Sequence, residues 1–200
     1  TILSTGMSSM EEVETAYNTL RENGAGHVTV LHCTSNYPAA FDSINLHAML
    51  TIRDTLKCRV GYSDHTPGTE VSVAAVALGA RVIEKHFTTD KSLPGPDHIA
   101  SLEPSELALL VRQIRNVELA LEGTGKKIMH GSEKETRQVV TRGIYIRGNL
   151  SEGTVITREH LAFKRPVAGY SAADYKLLLG KKLLVSKKHD DPVYPDDLEQ

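Results

Sequence analysis

RVGYSDHTPGTEVSVAAVALGARVIEKHF, residues 59–87, places two short β-branched runs on either side of a stretch of small apolar residues. The runs Arg59–Ser63 and Arg81–Phe87 read as strands, and 69–80 reads as a helix small enough to pack tightly on a sheet. Each run ends in a polar cluster with a histidine: Ser63, Asp64 and His65 after the first, Glu84, Lys85 and His86 after the second. Upstream, Ile2–Thr5 and Val28–Cys33 read as two more strands. Between them, SSMEEVETAYNTLRENG, 8–24, has a Ser cap, early glutamates and a terminal Gly. Downstream, SLEPSE opens a helix over Pro104–Leu121, with Leu107, Leu110, Val111 and Ile114 at helical spacing. This alternation is the pattern of a parallel sheet built from βα units, so the first part of the chain is an α/β domain.

The pattern then changes. GTGKKIMHGSEKETRQ, 123–138, is polar without sustained periodicity and reads as a linker. Residues 139–200 read as short strands and turns around one brief helix, SAADYKLLLG at 171–180, making a small, mostly β domain. Inside it, EGTVITREHL at 152–161 and HDDPVYPDDL at 189–198 share an apolar spacing, which predicts a pseudo-symmetric β unit. The expected organisation is therefore 1–122, a linker over 123–138, and 139–200.

Bulk composition excludes several classes. The chain has 200 residues, 40% hydrophobic and 24% charged, with a formal net charge of −2, which suits a globular protein with a real core. Its lysines and arginines are scattered, so nucleic acid has no basic stripe on which to dock. No run approaches the ~18–20 apolar residues of a membrane span, and TILSTGMSSMEE lacks the order of a secretory signal. A cytoplasmic location is expected. Cys33 and Cys58, two thiols in a chain with enough core, are expected to be unpaired.

In α/β folds of this kind, ligands gather at the carboxyl ends of the strands. Here those ends are Ser4–Thr5, His32–Tyr37, Ser63–His65 and Glu84–His86. Side chains alternate along a strand, so Ser63 and His65 share one face, Glu84 and His86 share another, and Asp64 and Lys85 point the opposite way. Adjacent strands lie ~4.8 Å apart, close enough for His65 and His86 to aim at one ion. Two imidazoles with oxygen ligands suit Mn²⁺, with Zn²⁺, Co²⁺ or Fe²⁺ as alternatives and Mg²⁺ a poorer match. A strand-end histidine is also a common hydrogen-bonded structural residue, and spacing alone does not separate the two. Glu84 is placed to hold a water, and the hydroxyls of Ser4, Thr5, Thr34, Ser35 and Ser63 either ring a phosphate or cap the following helices. A phosphate usually takes a cation, and the one in these endings, Lys85, is turned away by alternation. Asp97, after a Pro-Gly-Pro turn, either binds substrate hydroxyls or stabilises the turn. Arg165, before a proline, either binds a ligand or pairs with a carboxylate.

ILSTGM, LHCTSNYP, VGYSDHT, VIEKHFTTDKSLPGPDHIASLEP and the later KRP together resemble the sialic acid synthases, the N-acetylneuraminate synthase group that includes legionaminic acid synthases. The resemblance runs through essentially the whole chain. It implies the last four βα units of a TIM barrel followed by a small SAF, or antifreeze-like, β-clip domain. The implied reaction condenses phosphoenolpyruvate with an N-acylated mannosamine-type sugar, giving a nine-carbon sialic acid and phosphate. By the resemblance His65 and His86 hold a divalent metal, Mn²⁺ or Mg²⁺, Ser4, Ser35 and Ser63 face the phosphate, and Tyr37 and Asp97 lie along the sugar. Glu84 positions or deprotonates water. Arg165 would reach from the SAF domain into the barrel of a homodimer partner.

Departures from the family are expected to matter. Four of eight barrel strands are present, and the N-terminal lysines for phosphoenolpyruvate have no counterpart, so the chain reads as the C-terminal part of a synthase, inactive alone or completed by another chain. Ser35 stands where some members carry Asn. HDDPVY replaces the glycine turn that the first half of the echo keeps at Gly153. Pseudaminic acid synthase is the alternative within the class, and a non-catalytic carbohydrate-binding or assembly module the alternative outside it.

Overall fold

The computed structural model describes residues 1–199. It divides into two compact units, Thr1–Thr124 and the segment from Gly125 onward. In the first, β1 (Ile2–Ser4), β2 (Thr29–Cys33), β3 (Arg59–Asp64) and β4 (Ile83–Lys85) form one sheet in the order β1-β2-β3-β4. Every neighbouring pair is parallel. Helices α1 (Met10–Glu22), α2 (Ala48–Leu56), α3 (Glu70–Ala77) and α4 (Pro104–Leu121) alternate with the strands. This is an α/β half-barrel. Among the described residues no helix is long and apolar enough to cross a membrane.

Local chemistry explains most of these elements. The α1 start is a capping box, with the Ser9 amide donating to Glu12 Oε2 at 2.7 Å and the Glu12 amide to Ser9 Oγ at 3.4 Å. Proline opens α4, where its missing N–H costs nothing. One face of the sheet packs on the helices through a core that includes Val30, Met49, Ile52, Val60, Tyr62 and Ala75. Gly61 belongs to the other face, where an added Cβ would fall 2.3 Å from the Val82 carbonyl oxygen and 2.5 Å from Leu31 Cδ2. Only glycine fits there.

Three expectations need correction. Helix α2 was implied by the four βα units but not located: His47 gives it no side-chain cap, and Lys57 ends it at φ +50° where glycine is the usual signal. Strand β4 is shorter than 81–87, because beyond Lys85 the chain pairs with the Leu102 segment instead, through Leu102 N–H to His86 O at 2.8 Å and Thr88 N–H to Leu102 O at 2.9 Å. The stretch 123–138, read as a linker without sustained periodicity, holds a 3₁₀ turn at Gly131–Glu133 and the first five residues of α5 (Lys134–Val140).

The second unit contains an antiparallel pair, β5 (Gly143–Ile146) and β6 (Leu161–Lys164), over a core of Ile144, Ile146, Ile156, Leu161, Leu178, Leu183, Val193 and Leu198. The anticipated brief helix is a 3₁₀ segment, Ala172–Leu177. The internal echo is real. Ile156 and Val193 are both buried, each is followed by a 3₁₀ turn (Arg158–His160, Pro195–Asp197), and each turn leads into a buried leucine, Leu161 or Leu198. Gly153 at φ +81° is matched by Asp190 at φ +71°, so the glycine-free turn keeps the same left-handed backbone. Aspartate is among the residues that tolerate this conformation, and its carboxylate here pairs with Lys164 and His189.

Candidate active site

The carboxyl ends of β3 and β4 sit side by side, with Ser63 opposite Glu84 and Asp64 opposite Lys85. Pleating sends these pairs to opposite faces. The Ser63 hydroxyl donates to Glu84 Oε1 at 2.7 Å, while Lys85 Nζ meets Asp64 Oδ2 at 2.9 Å on the helix side. The single cation of the strand endings is thus turned away from the site, as alternation predicted.

His65 follows Asp64 and returns to the Ser63 face, with its Nε2 3.5 Å from Ser63 Oγ. Its Nδ1 lies 2.7 Å from the Thr34 carbonyl oxygen. A carbonyl can only accept, so Nδ1 carries a proton and donates it to Thr34. Backbone orientation of one imidazole nitrogen is the usual way a ligating histidine is fixed. The His65 and His86 rings stand edge to face, 5.3 Å between centroids. His65 through Nε2 and His86 through a ring nitrogen are the groups that would hold a shared divalent ion.

Tyr37 covers both rings, 4.0 Å from His65 and 5.1 Å from His86 between centroids. Its phenol is held protonated more firmly than usual, first by desolvation and then by the negative fields of Cys33, Asp97 and Glu84. It therefore remains a hydrogen-bond donor at neutral pH. Asp97 directs Oδ2 toward His86 Nδ1 at 4.0 Å. The turn function belongs to its backbone: Asp97 O accepts from the Ala100 amide and from Ser101 Oγ, leaving the carboxylate largely exposed.

The remaining predicted residues fall into two groups. Ser4 ends β1 on the open face of the sheet, and Ser35 Oγ lies 3.4 Å from where a Gly6 Cβ would stand, just beyond that same strand. Thr5 is buried and accepts from the Cys33 amide at 3.1 Å, so its hydroxyl serves the β1–β2 junction. Arg165 is exposed in the second unit, without a hydrogen bond or ion pair among the described residues.

Sequence reasoning missed the Thr34 carbonyl, which as a backbone atom has no residue signature. It also missed Cys33 as a neighbour of the site, its Sγ 3.8 Å from His65 Nδ1. Cys33 and Cys58 are both free thiols, as expected. Among the described residues no group of three or more His, Cys, Asp or Glu side chains forms a ready metal cage. Two imidazoles are fewer than the three protein ligands of a usual catalytic metal site, so an ion held here would take its remaining ligands from water or substrate.

Comparison with known proteins identifies the family. The NeuB family matches residues 1–127 and the SAF domain residues 141–199. The N,N'-diacetyllegionaminic acid synthase of Campylobacter jejuni is 47% identical, over 95% of this chain and 57% of its own length. The pseudaminic acid synthase of the same organism is 35% identical, over 100% of this chain and 57% of its own. A solved N-acetylneuraminic acid synthetase from Leptospira borgpetersenii, in complex with citrate, superposes with a TM-score of 0.59 at 40% identity, over 68% of this chain and 47% of that one. The chain therefore spans little more than half the length of the curated relatives it matches.

Proposed function

Because this chain belongs to the NeuB family and has a SAF domain behind its α/β unit, we propose that it serves the metal-dependent condensation of phosphoenolpyruvate with an N-acylated amino sugar. The observation that supports this reading is the meeting of His65, His86, Ser63 and Glu84 at two adjacent strand ends. His65 through Nε2 and His86 hold the divalent ion, Mn²⁺ in first place and Mg²⁺ or Co²⁺ as substitutes. When bound, such an ion polarises the aldehyde oxygen of the open-chain sugar. Ser4, Ser35 and Ser63 receive the phosphate, and Tyr37 and Asp97 hold the sugar hydroxyls.

The methylene carbon of phosphoenolpyruvate bonds to the aldehyde carbon, whose oxygen takes up a proton to become a hydroxyl. Water oxygen bonds to the resulting cationic C2 with loss of one proton. The C–O bond to phosphate then breaks as the new C2 hydroxyl gives its proton to the leaving phosphate and becomes the keto group. Glu84, 2.7 Å from the Ser63 hydroxyl, orients that water and takes its proton. Arg165 contributes from the SAF domain, across a homodimer. A diacetamido sugar of the legionaminate type is the preferred substrate, supported by 47% identity to the legionaminic acid synthase against 35% to the pseudaminic acid synthase.

The test is a chimera that joins this chain behind the preceding part of the Campylobacter legionaminic acid synthase. Phosphate release is measured with Mn²⁺, phosphoenolpyruvate and either N-acetylmannosamine or its 2,4-diacetamido relative. Release that disappears in the His65→Ala, His86→Ala double variant is expected. Inert chimeras with every sugar, binding carbohydrate without turnover, would favour the non-catalytic module instead.

A further inference from the structure

We propose that Asp64 and Lys85, which lie behind the site and touch none of its ligands, are positioning residues that clamp His65 and His86 at bridging distance. The proposal rests on reading the two histidines as a metal pair. Asp64 and Lys85 are the last residues of β3 and β4 and are register partners. Each immediately precedes one of the histidines, so the dipeptides Asp64-His65 and Lys85-His86 are two copies of one device: a helix-side charge followed by a site-side imidazole.

The pair is almost wholly buried, with side-chain exposures of 3% for Lys85 and 0% for Asp64. Its hydrogen bonding is unusually full. Asp64 Oδ1 accepts from the Thr66 amide at 2.9 Å and the Thr66 hydroxyl at 2.7 Å. Asp64 Oδ2 accepts from the Ser72 hydroxyl at 2.6 Å and from Lys85 Nζ at 2.9 Å. Lys85 Nζ also donates to the Thr66 carbonyl at 2.6 Å. All the bonds converge on the residues flanking His65, and one end of the network is anchored on α3.

Burying two charges is a poor way to gain stability, since well-packed apolar residues of the same size do as well or better. What a satisfied ionic network can supply is a single geometry. Here the geometry it holds is the one strand crossing that matters for the site: the end of β4, where regular pairing stops at Lys85, is tied to the chain just beyond His65. Without that tie, the backbone at His86 would be held only by its own strand and by the Leu102 segment.

The test uses the 200-residue chain and three readouts: Mn²⁺ affinity by electron paramagnetic resonance, ring-to-ring proton contacts between His65 and His86 by nuclear Overhauser effect without metal, and thermal midpoint. The variants are Lys85→Met, the apolar pair Asp64→Leu with Lys85→Met, and the milder Ser72→Ala. The apolar pair is expected to melt within a few degrees of the wild type yet to bind Mn²⁺ at least ~10-fold more weakly and to lose the ring contact. Ser72→Ala, which keeps the ion pair, is expected to fold normally and weaken Mn²⁺ binding ~3-fold, and it decides the matter if the double variant does not fold. A merely structural pair would leave affinity and ring contact unchanged in every variant that folds, and that result overturns the proposal. If the wild type binds no Mn²⁺, the metal reading fails separately, and the ring contact alone decides the clamp: present in the wild type and lost in the variants supports it, and any other pattern overturns it.

Discussion

Ser63 and Glu84 are register partners on β3 and β4, and the Ser63 hydroxyl donates to Glu84 Oε1 at 2.7 Å. One carboxylate oxygen is thereby occupied and oriented. Glu84→Gln keeps the shape and the bond from Ser63 but removes the base. It is expected to lower phosphate release by the chimera ~10²-fold or more, the scale of general base catalysis. Mn²⁺ affinity should change little, because the imidazoles are untouched. A loss of affinity with turnover intact would place Glu84 on the metal instead.

Tyr62 lies fully buried among the helix-side core residues, and its hydroxyl has no hydrogen-bond partner among the described atoms. An unpaired buried hydroxyl costs free energy, so Tyr62→Phe is expected to stabilise the chain by about 1 kcal/mol. Burial, with a smaller contribution from Asp64, pushes the phenol well above its ordinary value of 10.0. The folded state therefore favours the protonated phenol, a preference fully present below pH 10 and lost as pH rises through the folded value. Thermal melts from pH 7 to 11 should show Tyr62→Phe gaining most at the alkaline end. An equal or lower midpoint at every pH would show that the hydroxyl is satisfied.

The facing of the strand-end side chains was legible in the sequence, because alternation is a strong rule at a strand end. It correctly separated Ser63 and Glu84 from Asp64 and Lys85. The helix Pro104–Leu121 was readable from its proline start and apolar spacing. Helix α2 was not, since His47 and Lys57 carry neither of the usual end signals. Tyr37 was singled out, but its place over both imidazoles depends on how the chain turns after β2, which no local spacing encodes. The partners of Asp64 are likewise invisible in sequence, because Ser72 reaches it from α3.

The paired turns of the second unit make a backbone prediction. A Cβ at Gly153 would meet nothing within 4 Å, so a substitution there acts through its φ of +81° alone. Gly153→Val is expected to cost about 1–2 kcal/mol, the penalty for a side chain in the left-handed region. Gly153→Asn should cost clearly less, as Asp190 already sustains the same conformation at φ +71°. Urea midpoints for the two variants check this. Equal losses would mean that the turn senses bulk rather than dihedral angle.

Arg165 distinguishes action within one subunit from action across two. Arg165→Ala and the His65→Ala, His86→Ala variant are each expected to inactivate the chimera. Mixing the two after reversible unfolding should restore part of the activity, because some dimers then hold one intact site. Mixtures as inert as their components would confine Arg165 to its own subunit.

The bond that breaks is the most direct test of the central claim. Phosphoenolpyruvate labelled with ¹⁸O at the bridging oxygen is turned over by the chimera with the 2,4-diacetamido sugar, and phosphate and product are weighed by mass spectrometry. The account predicts labelled phosphate together with an unlabelled nine-carbon acid, since C–O cleavage sends the bridging oxygen out with phosphorus. Unlabelled phosphate, or pyruvate without a nine-carbon product, would contradict it.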